Sequence, residues 1–271
     1  MSRNIVFVSG NAGKIKEVKA IFGDGFNIVN YDIDLPEIQT TVVKEVIKEK
    51  IKAAISLLES TSSEHFRNIK KEFASKGIEI NSLRDIVVFC EDTGFYIDNM
   101  KGKVEFPGAL IKFYFKAMGN KGIIERDGGS KARMECCVGA VINGEGREFQ
   151  GSVDGKVPTE YKGEGEFGFD SAFIPNLPSE YSSQQGKTYS ELSAEIKNAT
   201  SARALAVGDL KASIVRGGGK KRKSTKKTSK KPIKKGSKKH SKKFSKKHTG
   251  GGKKKSSKKH TKKGSKKSRK H

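Results

Sequence analysis

Ile5-Val6-Phe7-Val8, followed by Ser9-Gly10-Asn11-Ala12-Gly13-Lys14, decides how the chain is to be read. A short continuous apolar run of this kind suits a buried strand. The residues after it form a tight loop, and Ile15, Val18, Ile21 and Phe22 then recur at helical spacing. The opening unit is therefore strand–loop–helix. Beyond it, residues 26–31 predict a second strand, and Asp32-Ile33-Asp34-Leu35-Pro36-Glu37 an acidic loop, because Pro36 holds Leu35 extended. Val43, Val46, Ile47, Ile51, Ala54, Ile55 and Leu58 mark a strongly amphipathic helix. Lys48 and Lys52 fall on its outer face, whereas Lys50 lies at the edge of the apolar stripe, within reach of a cleft.

Residues 85–90 predict another buried strand, closed by Glu91-Asp92-Thr93-Gly94 as the loop at its end. After Phe106-Pro107-Gly108 a helix is expected to carry Lys112. Residues 132–142 and 147–157 pair as strands around Asn143-Gly144-Glu145-Gly146. Glycines crowd residues 163–168 into a shaped loop before Phe169-Asp170. Residues 191–197 read as a helix, and Val207, Leu210 and Ile214 give the last helix its apolar side. Strand–helix units mixed with a hairpin indicate an α/β domain with two lobes.

Composition divides the chain in two. Its 271 residues carry 56 Lys+Arg against 30 Asp+Glu. Residues 217–271 hold 27 of those bases and no acid, so residues 1–216 are close to neutral, at −1. The body, 1–216, is expected to be one catalytic domain with a polar insertion at about 60–84 that contains a short helix over 64–74. The tail, 217–271, repeats Ser/Thr-Lys-Lys and has only Ile233 and Phe244 as sizeable apolar side chains. It is expected to be disordered and to attract nucleic acid or another polyanion through counterion release. Lys220-Lys221-Arg222-Lys223 resembles a nuclear address, and phosphorylation of the Ser and Thr hydroxyls would cancel charge.

The same inventory excludes several classes. No apolar run approaches the ~20 residues of a membrane span, and the N-terminal run is too short for a signal-peptide core. Three cysteines, two of them adjacent, give neither a disulfide framework nor a zinc spacing, so a reducing, cytoplasmic setting is expected. Four of the five histidines lie in the tail, leaving His65 alone in the body, which disfavours Ser–His or Cys–His nucleophiles. Carboxylates, lysines and a metal remain to do chemistry.

Residues 9–14 form a Gly-rich turn entering a helix, where backbone N–H groups and the helix dipole favour an anion and Lys14 adds charge. It is not a Walker A loop, since two residues rather than four separate Gly10 from Gly13. Glu37, Glu91 and Asp92 fall at the predicted strand ends, where open α/β sheets bind ligands. Such carboxylates suit Mg²⁺, and one of them could take a proton from water. Lys50, Lys112 and Lys197 are candidates to neutralise phosphate. Phe167-Gly168-Phe169-Asp170 offers an aromatic face and an acceptor for a base.

Taken together and in order, these pieces resemble the inosine triphosphate pyrophosphatase family. The resemblance rests on Ser9-Gly10-Asn11 with Lys14 and Glu17, Ile33-Asp34-Leu35-Pro36-Glu37, Glu91-Asp92-Thr93-Gly94, Phe106-Pro107-Gly108, Phe167-Gly168-Phe169-Asp170, and Lys197-Asn198-Ala199 with Arg203. It implies a two-lobed α/β fold with a central mixed, twisted sheet, flanking helices, an interlobe cleft and a homodimer. Ser9, Gly10, Asn11, Ala12, Gly13 and Lys14 would cradle a triphosphate, helped by Lys50 and Lys112. Glu37 and Asp92 would hold Mg²⁺, Asp92 would also be the proton acceptor, and Thr93 would lie beside the substrate. Phe167, Gly168, Phe169, Asp170, Lys197 and Arg203 would surround the base. The implied reaction is water attack on the α-phosphorus of ITP, dITP or XTP, giving monophosphate and pyrophosphate.

Two departures stand out. Ser201-Ala202-Arg203 occurs where the family usually has Ser-His-Arg, so a contact to the base is lost, and hydrogen-bonded discrimination can reach ~10⁴-fold. The polar insertion is the other, and its His65 is a candidate to replace the missing side chain. Two alternatives follow: a catalytically weak nucleotide-binding body with a nucleic-acid-binding tail, or a related enzyme acting on modified pyrimidines.

Overall fold

The computed structural model describes residues 3–59, 63–100, 102, 105–162 and 168–216. The tail, and the expectations placed on it, lie outside the described residues, as does Phe167. The strands are β1 (Asn4–Val8), β2 (Asn27–Tyr31), β3 (Val87–Ile97), β4 (Pro107–Gly108), β5 (Lys131–Ile142), β6 (Glu145–Lys156) and β7 (Ile174–Pro175). The helices are α1 (Ala12–Phe22), α2 (Val43–Leu58), α3 (Glu64–Ala74), α4 (Ile111–Asp127), α5 (Ala194–Thr200) and α6 (Ala202–Val215).

One mixed sheet runs β2-β1-β3-β5-β6-β7, with β4 added to β3. β2, β1 and β3 are parallel, while β3, β5, β6 and β7 are antiparallel. The β5–β6 hairpin turns on Asn143-Gly144, whose φ values of 53° and 82° require the left-handed region that these two residue types tolerate. Strand alternation sends Ile5, Phe7, Val87, Phe89 and Phe95 into one core, covered by α1, α4 and α6. Val6, Val8, Val88, Cys90 and Tyr96 enter a second core on the opposite face, with α2 and α3. Cys90, Cys136 and Cys137 are free and buried.

α3 falls where the sequence predicts a helix within the polar insertion, and it packs against the rest of the body. Phe66, Ile69 and Phe73 are fully buried in the second core. His65 sits against Tyr31, its Nδ1 at 3.3 Å from the phenol oxygen, and lines neither of the cavities described below. It does not replace a side chain at Ala202. The predicted helix over 191–197 begins later, at Ala194, with Ser193 as its cap. α1 begins earlier than expected, because Asn11 caps it by accepting from the Lys14 backbone N–H at 3.0 Å.

The largest correction concerns Glu91-Asp92-Thr93-Gly94. These residues do not close a strand; they lie in the middle of β3, which continues to Ile97. β1 pairs with β3 only as far as Phe89, and β4 takes up pairing again at Phe95. Along that edge residues 90–94 face a notch between the end of β1 and β4. On the other edge they pair without interruption with β5. The notch is what turns a strand interior into the floor of a cleft.

Candidate active site

A cavity of about 1180 Å³ opens at the notch, large enough for a nucleotide-sized ligand. Ser9, Gly10, Asn11, Lys14, Glu37, Lys50, Asp92, Thr93, Lys112, Gly168, Phe169 and Arg203 all line it. Ala12 and Gly13 form the first turn of α1 beside it. A smaller cavity of about 30 Å³, roughly the room of one water, is walled by Asp170, Lys197 and Ala202 with Thr93, Phe169 and Arg203. Every described residue placed in the site by sequence thus lies in or beside one pair of adjoining cavities.

The alternation of β3 divides the two acidic neighbours. Glu91 points to the face bearing α1 and α6, and its side chain is 0% exposed. Asp92 points to the face bearing α2 and retains 18% exposure. Lys14, entering from α1 at the sheet edge, reaches both, at 2.8 Å from Glu91 and 3.6 Å from Asp92. Glu91 is further held by Arg203 Nε at 3.4 Å, and it accepts from the Thr93 hydroxyl at 3.1 Å and the Cys136 thiol at 3.2 Å. Burial alone would raise this carboxyl, but Arg203 and Lys14 outweigh it and hold it well below the usual range. Burial likewise works against a charged Lys14, and Glu91 and Asp92 prevail, so its pKa is raised.

Asp92 behaves in the opposite sense. Burial raises its carboxyl and is only partly offset by Lys14 and Lys50, so it is more basic than an ordinary aspartate. A carboxylate of this kind, still open to the cavity, is suited to accept a proton. Glu37 approaches from the β2–α2 loop. Its hydrogen bond from Lys50 Nζ, at 2.6 Å, together with Lys112 Nζ at 3.8 Å, lowers its pKa. Lys50 is itself buried, as its place at the margin of the apolar stripe of α2 predicts.

A second knot of charge walls the smaller cavity. Glu17 on α1 bonds Lys197 Nζ at 2.6 Å and also Arg203, while Lys197 contacts Asp170. Arg203 Nη2 donates to Thr93 at 3.3 Å. Phe169 stacks on the core ring of Phe95, at 5.6 Å between centroids and 11° between planes, and so presents a fixed aromatic edge to both cavities. Ala202 brings only a methyl group to this wall and is 2% exposed.

Three further residues belong to the site by their place in the fold. The sequence pattern places Glu91 with Asp92 as acids at a strand end; strand alternation gives Glu91 a buried supporting place instead. Glu17, one helical turn after Lys14, joins α1 to α5 and α6. Asp32 lies just beyond β2, and the parallel register Val8↔Tyr31 is the signal that brings it beside the loop after β1.

Residues 5–213 match the model of the Ham1 family. The chain is 31% identical over 214 residues to an inosine triphosphate pyrophosphatase of Schizosaccharomyces pombe, covering 77% of this chain and 94% of that protein. It is 30% identical over 206 residues to a dITP/XTP pyrophosphatase of Thermococcus kodakarensis, covering 75% and 92%. Among solved structures, a HAM1 protein from Coxiella burnetii superposes with a TM-score of 0.53 at 22% identity, over 80% of this chain and all of that one, which supports the fold. With a match extending from β1 to α6, the chain belongs to the Ham1 family.

Proposed function

We propose that this protein hydrolyses non-standard purine nucleoside triphosphates, such as ITP, dITP and XTP, to the monophosphate and pyrophosphate, removing them from the nucleotide pool. The observation that carries the reading is the opening of Asp92, Glu37, Lys14, Lys50 and Lys112 onto one cavity at the N-terminus of α1. Phosphate would lie against residues 9–14, where the helix dipole and Lys14 favour it. Lys50 and Lys112 would draw charge from the reacting phosphorus. Asp92 would take the proton from the attacking water. No histidine, serine or thiol is needed as a nucleophile, and the cysteines are buried with raised pKa values.

The charge of the site supports a divalent ion. Asp32, Asp34, Glu37, Glu91 and Asp92 line the cavity against Lys14, Lys50, Lys112 and Arg203, so the lining is acidic before any polyanion enters. Among the described residues no three His, Cys, Asp or Glu side chains gather as a metal cage. That donor set fits Mg²⁺, which binds through one or two carboxylates plus substrate phosphates and water. Glu37 and Asp92 would hold it, and when bound it would neutralise phosphate charge and make the phosphorus more electrophilic. With Ala202 in the wall, discrimination of the base falls to Asp170, Lys197 and Arg203.

Incubation with ITP, dITP, XTP and ATP in Mg²⁺ is expected to release pyrophosphate from the first three far faster than from ATP. Orthophosphate as the product, or no turnover, would overturn the reading. Preference for a modified pyrimidine would move the substrate class while keeping the reaction.

The reading extends to a homodimer in the cytoplasm, with Lys220-Lys221-Arg222-Lys223 as a nuclear address and the tail as a polyanion tether. Among the described residues no helix is long and apolar enough to cross a membrane. Deleting 217–271 is expected to leave hydrolysis within twofold of the full chain. Retention on nucleic acid, measured at low salt and falling steeply as salt is raised, should disappear with the tail. Loss of hydrolysis with the tail would favour the alternative of a catalytically weak body.

A further inference from the structure

Asp32 has no place in the reaction described above, yet its carboxylate lies directly against the phosphate loop. A methyl group built on Gly10 would stand 2.4 Å from Asp32 Oδ2 and 2.7 Å from its Cγ, so the carboxylate lies where a side chain at position 10 would begin. The topology enforces it: β1 and β2 are parallel and in register at Val8 and Tyr31, and the next residues of both strands leave the sheet side by side. Lys14, Lys50 and Lys112 have carboxylate partners in Glu91, Asp92 and Glu37. Asp32 is exposed, lines the same cavity and has no ion pair or hydrogen bond among the described residues. An uncompensated negative charge against an anion-receiving loop works against the binding of a polyphosphate. It works least against one already neutralised by a cation.

We propose that Asp32 is a charge-selecting residue: it disfavours metal-free polyphosphate at residues 9–14 and so favours a triphosphate accompanied by its divalent ion. It also weakens retention of pyrophosphate once that ion has left. The inference rests on the reading of the cavity as a triphosphate site and adds a selectivity which that reading does not contain.

The test uses the full chain and sodium tripolyphosphate or pyrophosphate in metal-free buffer, with the ligand-induced rise in Tm as the readout. Polyanions drawn to the 27 Lys+Arg of the tail bind whether or not the body is folded, so they contribute little to that rise. Asp32→Asn is expected to tighten the apparent Kd about tenfold, the order given by one unit charge a few Å away at a part-hydrated site. The gain should shrink at 0.5 M salt, on the order of a 4 Å screening length, and again when Mg²⁺ is added. Asp24→Asn changes the net charge equally at the far end of α1 and is expected to change nothing. Equal or weaker binding by Asp32→Asn, or the same gain from Asp24→Asn, would overturn the proposal. Since the readout needs no turnover, failure here leaves the reaction standing, and failure of the pyrophosphate assay leaves this measurement decisive for Asp32.

Discussion

Replacing Asp92 by Asn is expected to lower kcat for ITP hydrolysis about a thousandfold while leaving the protein folded. The carboxylate stands on the α2 face of β3 with Lys14 3.6 Å away, and burial makes it more basic than a free aspartate. Asn preserves the shape and keeps an oxygen facing Lys14. It cannot take a proton from water, and it is a poor ligand for a hard cation. Loss of the proposed base accounts for about 10²–10⁴ in rate, and loss of a carboxylate from the proposed Mg²⁺ site acts in the same direction. Because 18% of the side chain is exposed, the change leaves no sealed, unpaired charge behind, and Tm should move by only a few degrees. Steady-state kinetics beside thermal melts decide the matter. A variant that keeps more than a tenth of wild-type kcat would remove Asp92 from the chemistry.

Much of this site was legible because its parts obey local rules. A short apolar run followed by a Gly-rich turn and helical spacing is enough to predict β1, the loop after it and α1. The margin of the apolar stripe placed Lys50 beside a cleft, and it is found bonded to Glu37. What stayed hidden depends on how strands end relative to one another. Glu91-Asp92-Thr93-Gly94 has two acids and a glycine, which locally mark a turn, yet unbroken pairing with β5 keeps it extended. Only the early end of β1 makes that extended stretch accessible, and strand length is a tertiary property. The same holds for α3, whose polar composition concealed Phe66, Ile69 and Phe73 at spacings of three and four that bury together. Asp32 needed the parallel register of β1 and β2, which neither strand states alone.

Glu91→Gln should do the reverse of the Asp92 change, destabilising the body by about 3 kcal/mol, close to the 3–5 kcal/mol typical when one partner of a buried pair is removed. For a domain of this size that corresponds to a fall in Tm on the order of 6–12 °C. Glu91 is sealed from solvent; it is the common ion-pair partner of Arg203 and Lys14 and accepts from the Thr93 hydroxyl and the Cys136 thiol. Gln keeps the volume and one acceptor oxygen but withdraws the charge. Arg203 then retains Glu17, whereas Lys14 has only the more distant Asp92. Two desolvated cations sharing less compensation is the source of the cost, not the loss of any single hydrogen bond. The expected mark of this cause is coupling. Arg203→Met on its own should also destabilise, but the loss in the double variant should fall short of the sum of the two single losses by at least about 1 kcal/mol, since residues of one network are not additive. Urea melts of the wild type, the two single variants and the double variant measure that term. Strict additivity would show that Glu91 acts as filler in β3, and a loss below 1 kcal/mol for Glu91→Gln would show that Lys14 and Arg203 need no buried anion to hold them at the cavity.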